Sequence, residues 1–418
     1  MSTYRRVFKI GLVLGFWLII QQQTTAQEGN RSKPPRKNDK KQYSIEQAIS
    51  EQAQLNTAAF SGLAFITGSF GVDCFFPPGK VADYFGFQYM RDIDKNEKGH
   101  NTDFLTLIAS NVISILTKDQ LQQLMNLAND QAPNYDKFAR ERMILIKAFR
   151  DNLEGKIPSG KKELSKTEVI KYCSKIYEID ASLSYERAVV VGKIINSFTK
   201  EQKDYLSKLE FSNSSTWPKV PETLDKRSLS HRAHVCVMTY ASELFSWYAG
   251  STDADVYFCP ERHGTYFGGF YLKDFPAMGN PNYNISTALT GDKGRDFINI
   301  LTDDQANLLK RTVRDLEPLL HEIVKLRREI SIELRKAILN QIPNKEIIVS
   351  KVRRYGEIDG ELSYEYAKCF AKIYQSLSEN QLKDLIKIRD LKVMPKGTYL
   401  FSDPIDIPDN LNCDFLFY

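Results

Sequence analysis

Between Leu319 and Leu339 charged and apolar residues alternate with a period near 3.6, as on an amphipathic rod with one dry face. The pattern belongs to a longer helical stretch, residues 303–340, and residues 118–155 read the same way. Each of these 38-residue runs would measure about 57 Å if helical throughout. Pro133 and Pro318 fall at the same place in both and predict a shared kink. Ser44-Ile45-Glu46-Gln47 has the form of a capping box and predicts an opening helix, and His231–Tyr248 is a second, apolar-rich helical stretch. After each opening helix comes a segment of glycine, proline and aromatic residues without helical period. The expected fold class is all-α, with irregular aromatic segments and an extended C-terminal tail.

This order of elements is written twice. Gly68-Ser69-Phe70-Gly71-Val72-Asp73 through Pro78 returns 182 residues later as Gly250-Ser251-Thr252-Asp253-Ala254-Asp255 through Pro260, and Tyr84-Phe85-Gly86 returns as Tyr266-Phe267-Gly268. Leu116–Gln120 matches Leu301–Gln305 at an offset of 185. Glu178-Ile179-Asp180 and Ser184-Tyr185-Glu186 match Glu357-Ile358-Asp359 and Ser363-Tyr364-Glu365 at 179, so two small indels separate the copies. The expected organisation is a leader over 1–26, a flexible basic segment over 27–43 and a first helical repeat over 44–210. A linker over 211–227, a second repeat over 228–391 and a tail over 392–418 follow. Such a chain is expected to supply a pseudo-dimer by itself and to work as a monomer.

One short motif occurs four times. Leu116-Thr117-Lys118-Asp119-Gln120 has relatives in Phe198-Thr199-Lys200-Glu201-Gln202, Leu301-Thr302-Asp303-Asp304-Gln305 and Leu377-Ser378-Glu379-Asn380-Gln381. Thr117, Thr199, Thr302 and Ser378 are expected N-caps, and Gln120, Gln202, Gln305 and Gln381 reach back from position N3. The acidic residues between them suit the positive end of the helix dipole. Each cap is worth about 1 kcal/mol, so helix initiation accounts for the motif without any catalytic role. A leucine follows each box at the same distance: Leu124, Leu206, Leu309 and Leu385.

The L-T-x-x-Q box, present twice per helical unit, resembles that of the Spy/CpxP family of periplasmic proteins. The resemblance covers residues 116–206 and 301–385. It implies small all-helical protomers pairing into a cradle, here fused in one chain, with ATP-independent chaperone activity toward unfolded or stress-damaged envelope proteins. The Gly68–Asp92 and Gly250–Asp274 segments, the opening helices and the tail have no place in that pattern.

Arg5, Arg6 and Lys9 precede an apolar run from Ile10 to Ile20, followed by Gln21–Ala26 with small residues at Thr24 and Ala26. This predicts a signal peptide cleaved before Gln27. The run of 11 residues is too short to span a bilayer, so no membrane span is expected in the mature chain and the destination is periplasmic or secreted. The net charge of +5 loses three positive and no negative residues with the leader, leaving about +2. That balance gives no electrostatic case for nucleic acid.

The six cysteines (74, 173, 236, 259, 369 and 413) have no cysteine counterparts across the copies, so either a non-repeated disulfide or buried thiols are expected. The aromatic residues Tyr84, Phe85, Phe87 and Tyr89, with Tyr266, Phe267, Phe270 and Tyr271, either seal the helix packing as core or line a groove for apolar client segments. They are the candidate client-binding residues. His231 and His234, three apart on an expected helix, and His263 are weak candidates for a metal or small-ligand sensor site. The repeated carboxylates of the Glu-Ile-Asp and Ser-Tyr-Glu sequences read either as an acid–base pair or as a helix boundary with tertiary hydrogen bonds. No nucleophile elbow, phosphate-binding glycine loop, paired C-x-x-C or H-E-x-x-H occurs. The expectation is a non-enzymatic protein without a cofactor.

Overall fold

The computed structural model describes residues 49–67, 103–209, 216–221, 223–252, 291–389 and 410–418. Among them are ten α-helices and no strand. The first copy contributes α1 (Glu51–Thr67), α2 (Asp103–Ile115), α3 (Lys118–Leu153), α4 (Lys166–Asn196) and α5 (Lys200–Leu206). The second contributes α6 (His231–Ala249), α7 (Gly291–Ile300), α8 (Asp303–Arg335), α9 (Lys345–Ser376) and α10 (Glu379–Arg389). The Ser44–Gln47 capping box lies outside the described residues. No helix among them is long and apolar enough to cross a membrane.

The two long helices begin as expected. Thr117 and Thr302 accept from the backbone N–H of Gln120 and Gln305, and those glutamine side chains accept from the cap N–H groups in return. Both helices run on through Pro133 and Pro318 as single elements. The chain leaves each at an equivalent residue in the left-handed region, Gly155 (φ 72°) just after α3 and Asn340 (φ 58°) after the 3-10 turn Lys336–Leu339 that follows α8. Glycine bears no Cβ penalty there and asparagine is among the few side chains that tolerate it. The following turns differ. Ile157-Pro158 corresponds to Ile342-Pro343, but Ser159–Leu164 have no counterpart before the next N-caps, Ser165 and Asn344.

The centre of the molecule is α4 packed antiparallel on α9. Lys166 meets Glu361 and Glu365 at 2.8 Å, Tyr177 meets Gly356, Arg353 pairs with Glu178 at 2.7 Å, and Lys345 lies over the Tyr185 ring. Residue numbers thus fall along α9 as they rise along α4. A Cβ on Gly356 would sit 2.8 Å from Tyr177 Cβ and 2.9 Å from the Cys173 carbonyl oxygen, so the helices approach too closely there for any side chain. Tyr177 and Gly356 are themselves counterparts at the 179 offset.

The opening helices are exchanged. Helix α1 packs on α7, α8, α9 and α10 of the second copy, whereas α6 packs on α2, α3 and α4 of the first. Each half of the molecule is therefore built from both copies. The 211–227 linker is no loose tether where it is described: Trp217 is buried edge-on against Phe245 at 4.5 Å, and the Pro218 carbonyl accepts from Asn111. Residues 410–418 lie along the α3–α4 turn, with Leu416 and Phe417 buried and the Phe417 backbone bridged to Leu164.

One expectation is corrected. The Ser-Tyr-Glu and Glu-Ile-Asp sequences are not helix boundaries but lie within α4 and α9. Ser184 donates back to Asp180 Oδ1 (3.4 Å) and Ser363 to the Asp359 carbonyl (2.5 Å). A hydroxyl satisfied one turn back needs no helix end.

Candidate functional site

The four capping boxes come together in two couples. Gln202 Nε2 donates to Gln120 Oε1 and to the Ile115 carbonyl, both at 2.6 Å, while Gln120 Nε2 donates to Ser197 Oγ at 2.9 Å. In the second copy Gln381 Nε2 donates to Gln305 Oε1 and to the Ile300 carbonyl at 2.9 Å, and Gln305 Nε2 to Ser376 Oγ at 3.0 Å. Each glutamine thus caps its own helix and also satisfies the end of another. The couples tie the start of the long helix to the start of the short closing helix, α5 or α10. Leu124, Leu206, Leu309 and Leu385 are all buried beneath them. Sequence reasoning found the caps; it missed the coupling, because boxes 82 and 76 residues apart in the chain show no spacing signal.

The expected client-binding residues Tyr84, Phe85, Phe87, Tyr89, Tyr266, Phe267, Phe270 and Tyr271 lie outside the described residues, as does His263. The ends from which the chain enters both aromatic segments are described. Arg150 donates to the Phe65 carbonyl at 2.8 Å and stands 5.2 Å from its ring centroid; its counterpart Arg335 donates to the Trp247 carbonyl at 3.1 Å and stands 5.8 Å from that ring. A guanidinium at a helix C-terminus satisfies orphan carbonyls and suits the dipole. His231 is the first residue of α6 and His234 follows one turn on, behind the N-cap Ser230. No three His, Cys, Asp or Glu side chains among the described residues could hold a metal ion together.

The densest buried chemistry was not anticipated. Where α6 docks on the first copy, Tyr240 donates to Gln131 Oε1 (2.7 Å) and meets the Tyr135 hydroxyl (2.8 Å). Arg187 reaches that hydroxyl at 3.2 Å and pairs with Glu243 at 2.9 Å. Burial, then the neighbouring Tyr135, pushes the Tyr240 hydroxyl well above its ordinary range, against the pull of Arg187. It stays a protonated donor at neutral pH, unfit as a base. The counterparts of Gln131, Tyr135, Arg187 and Tyr240 are Leu316, Leu320, Tyr366 and Ala58. A polar web in one half replaces apolar packing in the other, and only an alignment of the copies against each other shows the change.

Cys173, Cys236, Cys369 and Cys413 are all buried. Burial pushes Cys369 up to about 11 and, with Asp151 opposing the help of Lys147, Cys413 up to about 12; Cys173 is raised as well. Thiolate is the reactive form. Alkylation of the native protein at pH 8, mapped by mass spectrometry, is therefore expected to spare these four until denaturant is added. Rapid native labelling of any of them would contradict the burial.

The solvent face of α9 carries Lys345, Glu346, Val349, Ser350, Arg353, Arg354 and Glu357 around a shallow open hollow. Arg354 bonds Glu322 at 2.8 Å and Glu357 at 2.9 Å, and its hydrogen bond holds the Glu322 carboxyl below the usual range. Beside this charged stripe the α8–α9 turn exposes Leu339, Ile342 and Ile347. The arrangement offers mixed charged and apolar contact. No family model, no curated protein and no solved structure matches the chain.

Proposed function

We propose that the mature chain is an exported, non-enzymatic chaperone of the Spy/CpxP kind, holding unfolded or stress-damaged envelope proteins without ATP. The observation that carries the reading is the pair of coupled L-T-x-x-Q boxes in each copy, joined through α4 and α9. That arrangement is what a fused pair of such helical protomers requires. The exposed α9 stripe and the apolar turn beside it suit weak, exchangeable contacts with many sequences. Under this reading residues 1–26 are a signal peptide and the aromatic residues 84–89 and 266–271 take part in client contact. The alternative is a metal- or small-ligand-binding sensor using His231, His234 and His263, of which His263 lies outside the described residues.

The test is light scattering of a denatured, aggregating protein with and without the purified mature chain, in the absence of ATP. Suppression near one chain per client is expected, and its loss when residues 84–89 and 266–271 are made polar without unfolding. No suppression at several-fold excess would falsify the reading.

A further inference from the structure

The polar web that seats α6 on the first hairpin comes with an internal control. Tyr240 and Glu243 belong to α6, Gln131 and Tyr135 to α3 and Arg187 to α4, and all five are buried. The Arg187 guanidinium joins the two sides: it pairs with Glu243 at 2.9 Å, reaches the Tyr135 hydroxyl at 3.2 Å and stands 5.5 Å from the Tyr240 ring centroid. At the equivalent place in the other half, Leu316, Leu320 and Tyr366 are buried on the second hairpin and Ala58 is buried on α1. The same architecture is therefore held there without a charge. An ion pair taken out of water adds little net stability over apolar side chains of similar size, but it penalises any arrangement that breaks it. What the web adds is discrimination between partners.

We infer that Gln131, Tyr135 and Arg187 form a recognition surface for a helix bearing a tyrosine and, three residues on, a glutamate, and that this surface fixes the helix exchange by admitting α6 and rejecting α1. Residues three apart share a helix face, so Tyr240 and Glu243 reach α3 and α4 together. Their counterparts on α1 are Ala58 and Ser61. On the first hairpin α1 would bring no carboxylate to Arg187, because its one acidic residue, Glu51, lies in its first turn and pairs with Arg314. A guanidinium cannot shed its charge, so Arg187 would be a buried cation deprived of its anion. The reverse error costs as much. On the second hairpin α6 would bury the Glu243 carboxylate against Tyr366 in place of an arginine, and set the Tyr240 hydroxyl among Leu316 and Leu320, neither of which accepts a hydrogen bond. The observed exchange avoids both costs. The inference is independent of the chaperone reading.

The experiment places a photo-cross-linking residue at Met238, half-buried on α6, in the full mature chain and maps its cross-links by mass spectrometry. In the parent chain they should fall within residues 103–196, which hold the helices that α6 packs on. The quintuple variant Gln131→Leu/Tyr135→Leu/Arg187→Tyr/Tyr240→Ala/Glu243→Ser installs at each position its counterpart from the other half. It should keep the parent's helical spectrum and urea midpoint, while cross-links to residues 291–376 rise by about tenfold or more. The half-variant Tyr240→Ala/Glu243→Ser leaves Arg187 without its carboxylate and should have the lower urea midpoint of the two. A quintuple variant that unfolds or loses its midpoint would show the web to be a stabiliser and overturn the inference. An unchanged cross-link map in the folded quintuple variant would overturn it too, since connectivity or side-chain size would then choose the helix. So would a half-variant as stable as the quintuple one.

Discussion

Arg142→Ala is expected to destabilise the protein by about 3–5 kcal/mol, the usual consequence of removing one partner from a buried ion pair. Arg142 on α3 is 1% exposed, and its Nη1 lies 4.0 Å from Oδ2 of Asp359 on α9, itself fully buried. None of the three guanidinium nitrogens has a hydrogen-bond partner among the described residues. Arginine cannot shed its charge, so the pair persists as two desolvated ions at a distance too long for a good hydrogen bond. Losing Arg142 takes the paired cation from a buried carboxylate; losing both charges leaves no buried ion of the pair behind. The double variant Arg142→Met/Asp359→Leu should therefore recover to within about 1 kcal/mol of wild type, or exceed it. Urea midpoints for the two single variants and the double close the cycle. If Arg142→Ala proves neutral, or the double is no better than the singles, the buried-pair account fails. The pair also shows in Cys173, whose thiol is raised first by burial and then by Asp359, with Arg142 pulling it back.

Much of this was legible in the chain. The helix starts at Thr117, Thr199, Thr302 and Ser378 were, because a cap is local chemistry within four residues. The two long helices were, because their apolar positions keep one period. The exchange of α1 and α6 was not. Both helices are apolar over most of their surface, so periodicity names no partner, and either hairpin would accept either helix on composition alone. The Arg142–Asp359 pair joins positions whose counterparts are again arginine and aspartate, Arg327 and Asp180, and repetition alone could not say which copy's charge meets which. The difference between the two hairpin turns was readable in principle. The shift from the 185 to the 179 offset falls between Pro158 and Ser165, marking the inserted residues that receive the tail.

Expressed alone, the first repeat (residues 44–210) is expected not to form a folded monomer, and adding residues 211–418 in trans should restore a one-to-one complex. Helix α1 has its packing surface on the second copy, and the first copy's α2 and α3 wait for α6. Like repeats could exchange helices with one another, but the side-chain sizes oppose it. Gly62 on α1 leaves room for Phe370 of α9, whose ring stands 2.2 Å from where a Cβ would be. The corresponding pair is Leu244 and Val191, both buried, with large and small reversed. Two first repeats would set Gly62 against Val191 and leave a void; two second repeats would set Leu244 against Phe370 and overfill the site. At the α4–α9 crossing Tyr177 meets Gly356. Like pairing would put tyrosine on tyrosine or glycine on glycine at a spacing suited to neither. Light scattering coupled to size-exclusion chromatography should thus find the mixed complex in preference to either homodimer. A stable, helical, monomeric first repeat would show that α1 is not needed on the second copy, and an equally stable homodimer would show that the reversed sizes at Gly62, Phe370, Leu244 and Val191 do not select the partner.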